Sequence, residues 1–461
     1  MQKQYLSEYG EYNPEKFNED FLKAKELDDE KKYLEVAMKT LNSIDGIEYL
    51  KMEEIPHRIY EPMEECEEKD ALNISIDKSV LKIYKFYFRI NKDERDEVFS
   101  FELFYPELVK GGYFLINNNR YFPVYQLLDS GFFNTPKAVV LKTLIMPIVM
   151  EKKSDMLSLN IFKKKMSPFY YFLAKFGWDG TLEFFNIKDD IILSEKFEDL
   201  SEDEWEGFEV NKKLNCYIKK TPYYNNPLMY NSLMECLDNN RLKLCKIFEI
   251  ETWQRKLGVL FTPSTTDKIG KAKSSLISFE RALDPLNQEY LRLDEEDKKD
   301  IYHLIRYMIV NYEVLKNRDN CDLANKRIRC HEYLIYPLLK RYTNFVRRIN
   351  NSRKVTFEKL CEFKPNKGFL VKHSVVNELL RYDNSCNSIN IITKLKLSQG
   401  GFQSQFSSGA VNIAYRANHP SYIGRIGLLA TSAGDPGCTG TFTPFCELAD
   451  KMHFTDKENN K

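Results

Sequence analysis

The segment Val80–Ile90 reads Val-Leu-Lys-Ile-Tyr-Lys-Phe-Tyr-Phe-Arg-Ile, alternating and rich in β-branched and aromatic residues. Successive side chains of a strand point to opposite faces, so this run predicts an extended strand and not a helix. Downstream, Gly111–Val124 places Asn117, Asn118 and Asn119 between two apolar runs. Asparagine tolerates the positive φ of a tight turn, and the stretch therefore predicts a β-hairpin. Pro123 lacks the N–H that a ladder needs, which predicts an edge position for its strand.

Helical signals surround this sheet. The first ~70 residues are highly charged, with Phe17, Phe21, Leu34 and Met38 at helix-compatible spacing. Between about 151 and 335 the composition changes. Asn226-Pro227 combines a capping residue with a proline at the first helical position, and the helix predicted after it buries Leu228, Leu233, Met234 and Leu237. A further helix is predicted beyond the acidic stretch near Asp294, with Ile301, Leu304, Ile305, Met308, Tyr312 and Leu315 on one stripe. A chain of 461 residues exceeds one core, so an α+β multidomain fold of about two to four domains is expected. No internal repeat is visible.

Composition excludes several classes. Hydrophobic residues make up 43% of the chain and aromatic residues 13%, enough to bury substantial cores. The longest apolar run, Ala138–Met150, is broken by Lys142 and Pro147 and falls short of the ~20 residues that span a bilayer. The N-terminal residues Met1-Gln2-Lys3-Gln4-Tyr5 contain no signal-peptide apolar region. A soluble cytoplasmic protein without membrane contact is expected. The ten cysteines contain no Cys-x-x-Cys pair and read as reduced, mostly buried thiols. Cys321 with Cys330-His331 lacks a fourth ligand, which argues against a zinc site.

The net charge of zero hides an asymmetry. Tyr336–Ala430 carries 15 Lys/Arg against 4 Asp/Glu, whereas Asp189–Glu209 holds ten carboxylates. The acidic block reads as a solvated face. The basic region includes Lys340, Arg341, Arg347, Arg348, Arg353, Lys354, Lys359, Lys364, Lys367 and Lys372. Charges at that density neutralise phosphates by releasing counterions, whatever the base sequence. Tyr342 and Phe345, interleaved among them, are suited to packing the apolar side of a helix.

Three segments carry a resemblance. Arg416, His419-Pro420-Ser421, Gly424-Arg425, Thr431 and Gly434 match in order the fork segment of the second-largest (β) subunit of multisubunit RNA polymerases. That segment reads approximately Arg-Asp-x-His-Pro-(Ser/Thr)-His-Tyr-Gly-Arg-x-Cys and continues Thr-Pro-Glu-Gly-Pro. Asp383, Asn387, Thr393, Gly400 and Gly401 are similar to the β stretch just before it, with about three residues deleted. Gly112, Phe114, Ile116, Asn117 and Gln126 follow the spacing of a β hairpin reading Gly-x-Phe-x-Ile-Asn-Gly-x-Glu-Arg. Departures occur as well: Asn118 replaces the turn glycine, Arg120-Tyr121 replaces Glu-Arg, and Ser432-Ala433 stands where the family has Pro-Glu.

The resemblance implies a protrusion, lobe and fork architecture. The expected division is 1–150 for the first part of the protrusion, 151–335 for an inserted lobe, 336–375 for the return to the protrusion and 376–461 for the fork. A full β subunit runs on for several hundred residues beyond this point. The chain therefore resembles the N-terminal part of a split β subunit of the giant (jumbo) bacteriophage type, acting in the host cytoplasm. Expected partners are a C-terminal β-like chain, β′-like chains, a promoter-specificity subunit, template DNA and nascent RNA.

By the same resemblance, Lys394, Lys396, Arg416, Arg425, Arg347, Arg348, Arg353 and Lys354 would contact nucleic acid. Arg425, an always-charged bidentate donor, is the first candidate for a phosphate or carboxylate. Asp383, Asn387, Gly400, Gly401, His419, Pro420, Gly424, Thr431 and Gly434 would shape the loops, His419 in a structural role. Paired glycines let a loop pass close to nucleic acid. In bacterial β subunits the segment around 383–401 forms the rifamycin pocket, and the altered positions predict a resistant enzyme. Phe442 and Phe445 are expected on an apolar surface that a partner chain covers.

Nucleotidyl transfer in such enzymes uses two metal ions on a carboxylate triad. No Asp-x-Asp-Gly-Asp string occurs in the sequence, nor a P-loop, Gly-x-Ser-x-Gly or His-Glu-x-x-His. Mg2+ is therefore expected on a β′-like partner, with no activity from this chain alone. The rival reading is a stand-alone nucleic-acid-binding phage protein with a basic groove, which explains the charge asymmetry but not the ordered matches. A carboxylate hydrolase ranks third, since nothing singles out a pair.

Overall fold

A computed structural model describes residues 30–55, 78–109, 113–144, 147–161, 164–196, 200–211, 214–240, 242–261, 266–329, 332–350, 352, 354–377, 379–381, 393–397, 419–427, 439–443, 445–446, 448–449 and 453–454. The fold is α+β and multidomain, with two compact units. Unit 1 comprises Met1–Ser130, Pro285–Tyr290 and Asp319–Lys461, and unit 2 comprises Gly131–Asp284 and Leu291–Arg318.

In unit 1, α1 (Glu30–Lys39) buries Tyr33, Leu34, Ala37 and Met38, a spacing of three and four that forms one helical face. Helix does not continue to residue ~70, because Ile47–Ile55 is strand β1. Its register with β2 (Leu81–Lys92) sets Tyr49 against the Phe88 ring at 5.4 Å, and this cross-strand packing overrides local propensity. Phe17 and Phe21 lie outside the described residues. β3 (Arg95–Pro106) pairs with β2 through a turn in which Asp93 and Glu94 take φ 55° and 64°.

Next come β4 (Leu108–Val109), β5 (Tyr113–Ile116) and β6 (Asn119–Pro123). The asparagine hairpin forms as expected, with Asn117 at φ 49° and Asn118 at φ 62°. The edge expectation for Pro123 fails. β6 has β5 on one side and Leu379–Arg381 on the other, and Leu379 faces Pro123. As the last residue of β6, the proline leaves the interior of the ladder intact. β7 (Tyr125–Asp129) ends this passage of the chain.

Unit 2 opens with an antiparallel meander of β8 (Phe132–Asn134), β9 (Ala138–Leu141), β10 (Ile148–Lys153), β11 (Met156–Ile161) and β12 (Lys164–Met166). Helix α2 (Phe169–Phe184) kinks at Gly177, whose φ of 75° and ψ of −174° would strain any residue with a Cβ. A three-stranded sheet follows, β13 (Ile191–Ser194), β14 (Trp205–Asn211) and β15 (Leu214–Lys219), with β15 central. Helix α3 (Pro227–Asn240) starts where predicted. Asn226 Oδ1 accepts the Met229 N–H at 3.3 Å, and Leu228, Leu233 and Leu237 are buried with Met234 half-buried. Helices α4 (Ile250–Phe261) and α5 (Lys268–Glu280) pack on α2, where Tyr171 stacks on Phe279 at 4.2 Å.

The short α6 (Pro285–Glu289) belongs to unit 1. Back in unit 2, the predicted stripe from Ile301 to Leu315 is buried throughout, but as two helices, α7 (Ile301–Val310) and α8 (Tyr312–Lys316). Asp300, and not the stretch near Asp294, caps α7 by accepting the His303 N–H at 3.0 Å.

The chain returns to unit 1 through β16 (Lys326–Arg329), α9 (Glu332–Asn350), α10 (Phe357–Cys361), α11 (Phe369–Asn377) and β17 (Leu379–Arg381). It finishes with β18 (Lys394–Leu397), β19 (Thr439–Thr441), β20 (Leu448–Ala449) and β21 (His453–Phe454). A six-stranded sheet runs β19-β18-β7-β16-β21-β20. Among the six described thiols, Cys216, Cys236 and Cys446 are buried, Cys245 is exposed, and Cys321 and Cys361 are intermediate. Burial alone pushes the Cys216 thiol up to about 12.

Candidate nucleic-acid interface

The hairpin strands β5 and β6 lie in a four-stranded sheet, whereas β7, which carries Gln126, meets the later segments in the six-stranded sheet of unit 1. β18 runs parallel to β7, with Leu395 beside Tyr125, Lys396 beside Gln126 and Leu397 beside Leu127. β19 pairs antiparallel on the far side of β18, from Lys394–Thr441 to Lys396–Thr439. A small core of Tyr125, Leu127, Leu323, Ile328, Leu395, Tyr422, Ile426, Phe442, Cys446 and Phe454 packs on this sheet. The expectation of an exposed Phe442 is thereby corrected. It is buried, edge-on to Tyr125 at 5.5 Å, because the chain supplies its own cover.

The His-Pro-Ser-Tyr run forms a single 3-10 turn, Pro420–Tyr422, with His419 as its cap. His419 Nδ1 accepts the Ser421 N–H at 3.2 Å and the Ser421 hydroxyl at 2.7 Å. Its Nε2–H then donates to Asp319 Oδ2 at 3.1 Å, which sets the tautomer. Ser421 Oγ in turn accepts the Leu323 N–H at 3.0 Å. All four atoms of the histidine–serine network are thus committed to holding segment 319–323 against the turn.

Tyr422 is buried beneath the turn. Burial, and then the negative groups of Cys321, Asp319, Asp129 and Asp322, raise its phenol to about 12. Gly424 follows at φ 74°, a left-handed conformation that favours glycine. Its carbonyl accepts the Thr443 hydroxyl at 2.6 Å, and the Arg425 carbonyl accepts the Thr443 N–H at 3.0 Å. Gly427 N–H donates to Thr441 at 2.8 Å, and Phe442 N–H donates to Thr393 at 2.9 Å. Arg425 therefore sits, half-buried, on backbone fixed on both sides, beside the exposed Ile423. Pro420 is exposed, and Lys394 is half-buried on β18.

Sequence reasoning passed over β16, Lys-Arg-Ile-Arg, although all four residues are buried. Lys326 forms an ion pair with Asp129, directly opposite on β7. Arg329 donates to Gln126 Oε1 at 2.7 Å and lies over the Tyr336 ring at 5.3 Å. Arg327 donates to Asn287 Oδ1 at 3.1 Å and covers the Tyr290 ring at 4.6 Å. The available signal was a run of strand length in which three of the four residues are charged and each needs a polar partner. Gln126, already singled out, is one of those partners.

The basic helix α9 is a second location. Tyr342 and Phe345 are buried against Phe363, with centroids at 6.3 and 6.2 Å, so the helix packs on its apolar side as expected. Arg347 and Lys354 are exposed. Arg348 pairs with Glu362 at 2.7 Å and lies over Phe345 at 5.2 Å. Both partners are half exposed, so the pair adds little stability. Arg341 donates to the Lys364 carbonyl at 3.3 Å and covers Phe369 at 5.4 Å. Lys364 lies over the Phe99 ring at 3.9 Å, and Lys367 pairs with Glu102 at 3.1 Å. Arg341, Asn344, Phe345, Arg348 and Glu362 line an open cleft of about 650 Å3. Burial, followed by the neighbouring Lys372 and Arg341, holds His373 below the usual imidazole range, a local mark of the positive field.

Residues 11–459 match the family described as non-virion RNA polymerase subunit. The chain belongs to that family of phage-type subunits. It is part of a multisubunit RNA polymerase and not a stand-alone nucleic-acid-binding protein. The chain matches no curated protein sequence.

In this polymerase subunit, Lys394 lies in the six-stranded sheet and His419, Pro420, Gly424 and Arg425 in the turn segment bonded beside its β19, whereas Arg347, Arg348 and Lys354 lie on and just after α9. Lys396 is in β18. Arg353, Asp383, Asn387, Gly400, Gly401, Arg416, Thr431 and Gly434 lie outside the described residues, as do Cys330 and His331. Among the described residues, no group of three or more His, Cys, Asp or Glu is placed to hold a metal ion. The described side chains therefore do not make up a two-metal centre. No described helix is long and apolar enough to cross a membrane.

Proposed function

We propose that this subunit supplies the protrusion, lobe and fork elements of a β-like half of the polymerase, forming one wall of the DNA channel and supporting the active centre. The observation that carries this reading is the parallel pairing of β18 with β7, which sets Gln126, the last residue of the hairpin match, beside Lys396 of the stretch that precedes the fork match. On this reading unit 2, Gly131–Asp284 with Leu291–Arg318, holds most of the lobe expected over 151–335. Unit 1 combines the protrusion with the fork.

Lys394, Lys396, Arg416 and Arg425 would hold nucleic-acid backbone at the fork, and Arg347, Arg348, Arg353 and Lys354 would do so along α9. Phosphate contacts of this kind fix register and carry no sequence information. The metal-binding carboxylates for nucleotidyl transfer, and with them Mg2+, would come from a β′-like chain, with a further β-like chain and a promoter-specificity subunit completing the enzyme.

A photo-crosslinking residue tests the placement directly. The tagged chain, carrying p-benzoylphenylalanine in place of Ile423 or Arg347, is assembled with its native partners on a template with nascent RNA. Crosslinks to nucleic acid from either position are expected, in preparations that make RNA when Mg2+ is added. Crosslinks to protein alone from both positions refute the channel wall.

A further inference from the structure

We propose that the open edge of β14 in unit 2 is a docking strand for an extended, basic protein segment. β14 pairs with β15 on one side, and among the described residues no strand covers its other side. Unpaired N–H and C=O groups along such an edge are a template for a further strand, and proteins usually blunt them with lysine or cover them. Here the edge is lined instead by aromatic rings and carboxylates.

Leu200, Glu202, Trp205, Glu206, Phe208 and Glu209 form much of the wall of a cleft of about 510 Å3 along this edge. The alternation of β14 sorts them. Val210 shares a face with Glu206 and Phe208, opposite the buried Cys216 and Ile218, so that face leads into the core. Trp205, Gly207 and Glu209 share the outer face. Gly207 faces Tyr217, and a Cβ there would lie 3.3 Å from the Tyr217 ring, so the ring forms an aromatic floor between Trp205 and Glu209.

Charge selects the occupant. The lining carries Glu202, Glu206 and Glu209 against Lys220, which donates to the Glu202 carbonyl at 2.6 Å and lies 3.9 Å from the Glu206 carboxylate, so the lining keeps a net negative charge. Glu206 also accepts the hydroxyl of the exposed Tyr224 at 3.3 Å, adding an aromatic to the rim. A phosphate backbone is repelled by this lining. A strand laid along β14 would bring alternate side chains over Gly207, between the Trp205 ring and the Glu209 carboxylate. Lysine or arginine fits there by cation–π contact and ion pairing together. Lys219 already sits 5.7 Å from the Trp205 centroid, so the ring accepts a cation. Main-chain pairing would supply affinity, and the alternate basic side chains specificity.

The test uses the full chain and a fluorescein-labelled peptide, Arg-Val-Lys-Val-Arg-Val-Lys-Val, read by fluorescence anisotropy at physiological ionic strength. Saturable binding is expected, at least tenfold weaker for E206K/E209K and for W205A. A peptide of the same sequence with alternate amides N-methylated, keeping every charge but unable to pair, should also bind at least tenfold more weakly. Hydrogen exchange should slow in residues 205–211 of the native chain when the peptide is added, a readout independent of how the variants fold. Equal affinity for the N-methylated peptide would mean charge attraction only and overturns the proposal. So does unchanged binding by a folded E206K/E209K, protection confined to other segments, or the absence of saturable binding.

Discussion

Removing the ammonium of Lys326 should loosen the centre of unit 1 specifically. Lys326 and Asp129 face each other across β16 and β7, with side chains only 4% and 5% exposed. Lys326→Met keeps most of the aliphatic stem and leaves a buried carboxylate without its cation. Breaking such a pair from one side costs about 3–5 kcal/mol. Replacing both partners, in Asp129→Asn/Lys326→Met, should recover most of that loss, because no uncompensated charge remains. The readout must belong to unit 1. All three tryptophans, Trp178, Trp205 and Trp253, lie in unit 2, so their fluorescence serves as the internal control. Hydrogen exchange of peptides covering β7 and β16 should quicken by roughly 10² to 10⁴-fold in Lys326→Met. The urea midpoint of the tryptophan signal should stay in place. An exchange increase below about fivefold, or a double variant as damaged as the single one, would refute the reasoning.

Gly424→Ala places a Cβ at φ 74° and should cost about 1–2 kcal/mol, read as faster exchange in residues 419–427. His419→Asn keeps an acceptor for the Ser421 N–H but loses Asp319, so it should retain more stability than His419→Ala in the same measurement. Tyr49 and Tyr422 are both held protonated up to about 12, whereas an unfolded tyrosine titrates near 10. The folded state binds the extra protons, so stability is intact below about pH 10 and falls as pH rises toward 12, measurable by thermal melts from pH 9 to 11.5. The assembled polymerase should transcribe undiminished at rifamycin concentrations that block a bacterial enzyme; inhibition there would contradict the reading of the 383–401 segment.

Local chemistry was legible in the sequence where one residue decides the backbone. Asn117-Asn118 set the hairpin, Asn226-Pro227 set α3, and the period-two run from Val80 set β2. What escaped is non-local. Ile47–Ile55 looks helical until β2 is beside it, and Pro123 looks like an edge residue until Leu379 arrives from 256 positions away. At the candidate site, His419, Gly424 and Arg425 stood out because special backbone and polar side chains cluster there. Lys326, Arg327 and Arg329 did not, since charge density in a sequence suggests solvent, and only the fold reveals Asp129, Asn287 and Gln126 waiting for them.

The six-stranded sheet has a consequence for how the protein is made. Its central strand, β7, ends at Asp129, but its two neighbours begin at Lys326 and Lys394, and the sheet closes only at Phe454. At ribosomal speeds of about 5–20 residues per second, roughly 15–65 s separate the emergence of β7 from that of β21. For about the first 10–40 s of that interval, until β16 emerges, a strand with both flanks open sits on the nascent chain, the circumstance in which chains mispair with their neighbours on a polysome. Unit 2, whose meander is local in sequence, can be finished long before. The yield of this subunit should therefore depend on the pace of translation through the last hundred or so codons, and slowing those codons should lower it more than slowing the first hundred.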